Sequence, residues 1–478
     1  MKTSFAKLVL GSLLLLAWPT FAQDTVTPEP QSPAAAAMHQ SPVTPPAAVA
    51  PAAPAAPPTP EQLRNQLLTS PAFQAYLGVM NDLRPFFGRP SQQKAAVENI
   101  DQFSFSPDTK KSLTAAFGND NPLHFAKTRQ PDGGTLIDVR IDGLDYKNAI
   151  ADGADGSSPG KVVVHSEPVS ATLSFNRDFR TLHALGSFPG VTFEDDDTRV
   201  SVGNSRFSSD RVLGKADLWL GKSEMTLDQI VMSSLKSDFS LKMSDFDFTS
   251  DVSTHKNVFD MLYDYKIASI DWGGDKVENL AATIAFTNLD ARSLIEFLDF
   301  SRQLDPRSVG TPTQMDATMV MLKRLAAAIS QHGGAIEIRN FSAQYHGRTV
   351  ALNGRIALPN LKQSDFDVPK KVYQKLALRI RLGVPMPMIE DVAHRFARII
   401  MEAHAKQNGA QVTDMAVDLV ARGMVDKMTE TLVRTQKWAH MEKDSMVTVF
   451  EIRKGQLYLD HHQVTPQSYP FMTMAQGK

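Results

Sequence analysis

Residues Ile137-Asp138-Val139-Arg140-Ile141-Asp142 alternate apolar and charged side chains one for one. Successive side chains of a strand point to opposite faces, so this spacing predicts a strand with one apolar and one wet face. The alternation recurs at Leu218 and Leu220, at Phe239, Leu241 and Met243, and at Phe246 and Phe248. Turn signals separate the runs: Asp132-Gly133-Gly134, Asp152-Gly153, Asp155-Gly156, Pro189-Gly190 and Gly273-Gly274. From about Phe103 to Leu289 the chain therefore reads as half-buried antiparallel strands.

Helical spacing flanks this region. Leu63, Leu67 and Leu68, then Phe73, Leu77 and Met80 predict two short helices, the second opened by Ser70-Pro71. Asp290 is placed to cap a helix carrying Leu294, Phe297 and Leu298. Thr311-Pro312 opens another, with Met315, Met319, Leu322, Leu325, Ala326 and Ile329 on one face and Gly333-Gly334 at its end. His346-Gly347-Arg348 then joins two strand-like stretches as a hairpin.

Residues 376–478 form a strand-helix-helix-hairpin module, expected to share the folding unit of residues 61–375. Leu376, Leu378, Ile380 and Leu382 make its strand, stopped by Pro385 and Pro387. Ile389, Val392, Phe396, Ile399, Ile400 and Ala403 lie on one side of the next helix, which closes near Asn408-Gly409. The charges Glu390, Asp391, His394, Arg398 and Glu402 fall largely opposite, so Phe396 is expected to pack as core. Truncating it to alanine should then cost about 3–5 kcal/mol. In the second helix the apolar stripe shifts after Gly423, which predicts a bend or broad burial. Met446, Thr448, Phe450 and Ile452 share one face of a closing strand, and Lys454-Gly455 turns it back.

The stretch Leu376-Ala377-Leu378-Arg379-Ile380-Arg381-Leu382-Gly383-Val384-Pro385 resembles the late strand of the YdgA-like family of uncharacterised bacterial envelope proteins. Lys454-Gly455-Gln456-Leu457-Tyr458-Leu459 resembles that family's final hairpin, and Phe341 to Leu358 is similar in kind. The resemblance implies an envelope location and carries over no catalytic residue. The chain departs from the family in having a long Pro/Ala-rich tether and a leader that looks cleavable rather than retained.

That leader, residues 1–22, has Lys2 and Lys7 ahead of an apolar run from Leu8 to Trp18, too short for the roughly 20 residues of a membrane span. Thr20 and Ala22 suit signal peptidase, predicting cleavage after Ala22 and periplasmic export, with a retained membrane anchor as the alternative. Residues 23–60 are rich in Pro, Ala, Thr and Ser and read as a disordered tether. Cysteine is absent, so an exported chain would rely on burial without disulfides. A net charge of −2, without a basic stripe, argues against nucleic acid as a partner.

The motifs of chemistry are missing or bare. Gly156-Ser157-Ser158-Pro159-Gly160 is the one Gly-x-Ser-x-Gly spacing, and it stands bare in a run of turn residues. Ser91 to Lys94, Ser233 to Lys236 and Ser253 to Lys256 are Ser-x-x-Lys spacings without their partner motifs. Gly156 to Val162 is one residue short of a phosphate loop and lacks its closing hydroxyl. His461 and His462 would point to opposite faces of a strand. The acidic runs Glu194 to Asp197 and Asp152 to Asp155 lack calcium-loop spacing and read as solvated turns. Nothing selects a catalytic carboxylate pair among 52 acidic residues. Met315 with Met319, and Met424 with Met428, read as core filling, with an adaptable apolar groove as the sharper alternative.

The expected architecture is α+β: an extended antiparallel β-sheet with amphipathic helices packed on one side. No catalytic, cofactor-binding or metal residue is assigned, and no cofactor is expected. The expected function is non-enzymatic binding of a lipid or other apolar ligand, or scaffolding of an envelope partner. The alternative is a hydrolase acting on envelope polymers through a dispersed active site.

Overall fold

The computed structural model describes residues 71–149, 161–215, 217–255, 258–304, 311–408 and 411–464. The leader, the Pro/Ala-rich segment, the helix expected at Leu63 to Leu68, the turns at Asp152 to Gly156 and most of the run Gly156 to Val162 lie outside them.

The described strands form one 20-stranded sheet in which every pairing is antiparallel. Its order follows the chain. Leu123–Arg129 pairs with Thr135–Ile141, and neighbours add in sequence through Trp219–Ser234, Ser240–His255, Val258–Trp272 and Asp275–Asp290. Ala335–Tyr345, Arg348–Ala357, Ala377–Pro385 and Ser445–Arg453 continue it, so the C-terminal strands extend the same ladder. Short turns join most of these antiparallel neighbours, while helices intervene between Asp290 and Ala335 and between Pro385 and Ser445.

Several early strands are single long runs broken in the middle: at Asp142-Gly143, Glu167-Pro168, Pro189-Gly190 and Gly203-Asn204. These breaks lie side by side. The amide of Gly203 donates to the carbonyl of Gln229 at 2.7 Å, and that of Asp228 to Asn204 at 2.9 Å. Asp245 on the next strand continues the line with φ 52°. A row of bulges bends a sheet along one axis, because each removes a ladder pair and raises the local twist.

One face of the sheet is apolar, and two groups of helices pack on it. Pro71–Asp82 and Pro107–Phe117 bury Ala75, Leu113 and Ala116 with Leu123, while Val97 of Pro90–Glu98 and the adjoining Ile100 meet Ile137 and Phe175. Ala291–Gln303 sets Leu294 and Leu298 on Phe259 and Leu289. The two groups are tied by an ion pair between Arg89 and Asp299. The expected caps are present: Asp290 accepts from the Ser293 amide at 2.8 Å and Thr311 from the Gln314 amide at 3.4 Å.

Three expectations need correction. Strands begin at Leu123 rather than near Phe103, because Pro90–Glu98 and Pro107–Phe117 are helical. Both start with proline at the first turn, a signal that outweighs their weak apolar periodicity. Second, Met315 and Met319 are not core: both are exposed, and in Pro312–Gln331 the buried residues Leu325, Ala327 and Ser330 all lie in the C-terminal half. Third, the broad burial expected as one outcome at Gly423 is not seen: in Asp414–Thr429 only Val417, Ala421 and Val425 are buried, and the helix passes into a π-helical turn at Glu430–Thr435.

Candidate functional site

Met225, Phe248, Tyr265, Ala282, Phe341 and Leu352 stand opposite one another on six successive strands of the apolar face. Of these only Ala282 is buried; the others are half-covered. Among the described residues, the helix Ala291–Gln303 contacts the sheet nearer the strand ends, at Phe259, Met261, Phe286 and Leu289. The row is aromatic at its centre, with the Phe248 and Tyr265 rings 5.1 Å apart. Burial pushes the Tyr265 hydroxyl up to about 12.

The adjacent row is polar in part. Ser209, Ser223, Ser250 and Tyr263 face one another across four strands. Arg211, two residues on from Ser209 and so on the same face, folds over them. Its Nε donates to Ser209 Oγ at 2.9 Å and to Ser223 Oγ at 3.2 Å, and a terminal nitrogen donates to Ser223 Oγ at 2.6 Å. Opposite Arg211 stands Gly221, at φ 120°. Burial lowers the Arg211 pKa, and the nearby Arg211 charge partly counters the rise that burial gives Tyr263.

The helical pair Met386–Asn408 and Asp414–Thr429 inverts the expected arrangement. Ala397, Val417 and Ala421 bury its helix-to-helix contact. The polar side of the first helix faces neighbouring turns: Arg395 pairs with Asp275, and Asp391 lies 3.6 Å from His346. The stripe expected as core therefore faces solvent, with Phe396 56% and Ile399 64% exposed. On the second helix Met415 and Leu419 are exposed as well. Beside the stripe lies an apolar groove of about 360 Å³ lined by Val384, Met388, Val392, Phe396, Met424 and Met428, and Met424 also packs against the Ala397, Val417 and Ala421 core.

Ionisable side chains gather at the closing hairpin. His440 uses both ring nitrogens, Nδ1 with Asp460 at 2.8 Å and Nε2 with Glu442 at 3.0 Å. These bonds hold its pKa above the ordinary histidine value. A histidine with both nitrogens engaged has no free lone pair with which to accept a proton from a substrate.

The motif residues are scattered. Ser91 donates to Asp217 Oδ2 at 2.6 Å as part of a helix start. Asp195 turns the acidic run, accepting from the amides of Asp197 and Thr198. His461 sits in a turn 3.6 Å from Glu451, and His462 begins the last two-residue strand. Among the described residues no group of three or more His, Cys, Asp or Glu side chains is placed to hold a metal ion. Sequence reading missed Arg211 entirely. Its only signal is an inverted stretch in which Ser209 and Arg211 alternate with Asp210 and Val212.

These features define an α+β protein built on one antiparallel meander whose apolar face is only partly covered. Residues 101–467 match the family described as a bacterial protein of unknown function (DUF945), and the chain belongs to that family. No curated protein matches the chain. No helix among the described residues is long and apolar enough to cross a membrane.

Proposed function

We propose that this chain is an exported, non-enzymatic envelope protein that binds a lipid or another apolar ligand along the partly open face of its sheet. The observation that carries the reading is the row from Met225 to Leu352, a contiguous apolar surface that the helices leave half-covered. Contiguous apolar surface left partly open to water marks binding sites, since its residual exposure is unfavourable. The cleavable-looking leader and the resemblance to YdgA-like envelope proteins support the compartment. Native mass spectrometry of protein purified from its own envelope tests the reading. A retained lipid is the expected result; a bare chain that also fails to take up an added fatty acid overturns it.

A second reading, scaffolding of an envelope partner, is favoured by the outward stripe of Phe396, Ile399, Met415 and Leu419. Cross-linking from these positions in the native envelope tests it, with a single discrete partner expected and diffuse or absent products counting against it.

A further inference from the structure

We propose that Arg211 anchors the oxyanion head, carboxylate or phosphate, of an acyl-chain ligand whose chain lies along the aromatic row. This rests on the apolar-ligand reading above. Arg211 is a cation on the apolar face, half-buried, with no carboxylate ion-paired to it among the described residues. Among the described residues its side-chain hydrogen bonds go only to serine hydroxyls. The carboxylates of the adjoining strands belong to the other face, where Glu224 pairs with Lys222. Withdrawing a charge from water without a counter-charge is unfavourable, so such groups are ordinarily paired.

The surroundings fit an amphipathic anion. A guanidinium offers five N–H donors in a fixed fork, and the serines engage Nε and one terminal nitrogen, leaving the second terminal nitrogen for an oxyanion. Gly221 presents no side chain beside the fork. The Ser250 hydroxyl lies in the same row as a further donor, while the Tyr263 hydroxyl donates to Met261 Sδ at 3.4 Å. The row from Met225 to Leu352 starts one register step from Ser223 and crosses five strand spacings, about 24 Å at ~4.8 Å each, a path suited to one extended chain.

The test uses the full mature chain with a fluorescent polyene fatty acid and its methyl ester, which share a chain and differ only in head charge. The acid should bind roughly tenfold or more tightly than the ester, the usual range for a hydrogen bond to a charged group. In Arg211→Met that ratio should collapse towards one while ester affinity holds. Displacement of the acid by oleate or by a lysophosphatidic acid then assigns the head as carboxylate or phosphate, and either supports the proposal. Equal affinity of the unmodified chain for acid and ester overturns it and leaves the ligand-binding reading intact. Binding of neither probe overturns both. Because the ratio is read on the unmodified chain, a poorly folded variant does not obscure the result.

Discussion

Arg395 grips Asp275 with both terminal nitrogens, at 2.5 and 2.6 Å, and lies 5.6 Å over the Tyr345 ring. The fork joins the charged side of the first C-terminal helix to the turns of the sheet, while the buried contact of Ala397 with Val417 and Ala421 seats the helix with its apolar stripe outward.

Because the pair is about half exposed and screened by solvent, Arg395→Ala should leave global melting nearly unchanged. It should instead speed protease cleavage between Met386 and Thr429. The fork holds the Asp275 carboxyl below its ordinary value. Its contribution is therefore present above the unfolded carboxyl value and lost as pH falls through the lower folded one. Cleavage of the unmodified chain should rise in that acid range; a variant that melts early without faster cleavage would contradict the docking role.

Phe396→Ala should change stability by no more than about 1 kcal/mol, as surface substitutions do. Leu294→Ala, at a side chain 2% exposed, should cost about 2–5 kcal/mol. Chemical unfolding of the two variants side by side checks the contrast, and equal losses would place Phe396 back in the core.

His440 gains charge-assisted hydrogen bonds from Glu442 and Asp460, so its folded pKa lies above the ordinary value of about 6.5. The contribution is fully present below the unfolded value and is lost as pH rises through the higher folded one. The melting difference between the unmodified chain and His440→Gln should therefore be largest in mild acid and shrink towards alkaline pH. A pH-independent difference would mean that the imidazolium is not what stabilises the hairpin.

Gly221→Ala should destabilise strongly. At φ 120° an L side chain is strained, by about 1–3 kcal/mol for such conformations, and the added Cβ would lie 2.3 Å from the Asp210 carbonyl oxygen. Gly423→Ala, where nothing lies within 4 Å of the added carbon, is the helical control and should be neutral or stabilising. Melting of both variants decides.

Export is tested at the N-terminus. Sequencing of the mature protein should begin at Gln23, and recovery of Met1 in the membrane fraction would establish the retained anchor instead.

Much of the fold could be read from local pattern. Ile137, Val139 and Ile141 announce a strand, Asp290 and Thr311 announce caps, and His346-Gly347 announces a hairpin, because alternation, capping and turn chemistry are properties of neighbouring residues. The line of bulges from Asp142-Gly143 to Asp245 escaped notice, since each break looks like an ordinary turn until the register sets them abreast.

The sequence by itself determined most of the strands, the helix starts at Asp290 and Thr311 and the existence of apolar stripes, for these follow from backbone sterics and side-chain period. Only the tertiary structure decided what covers each stripe. Periodicity places Phe396 and Ile399 on one side of a helix, yet the helix packs through Ala397 on Val417 and Ala421 and leaves that side to solvent. Likewise Arg211 faces inward and Val212 outward, against their polarity, because the ladder from Ser205 to Leu213 is pinned by both neighbouring strands. Register is a cooperative property of the whole sheet, and a single residue's preference for water is too weak to reverse it.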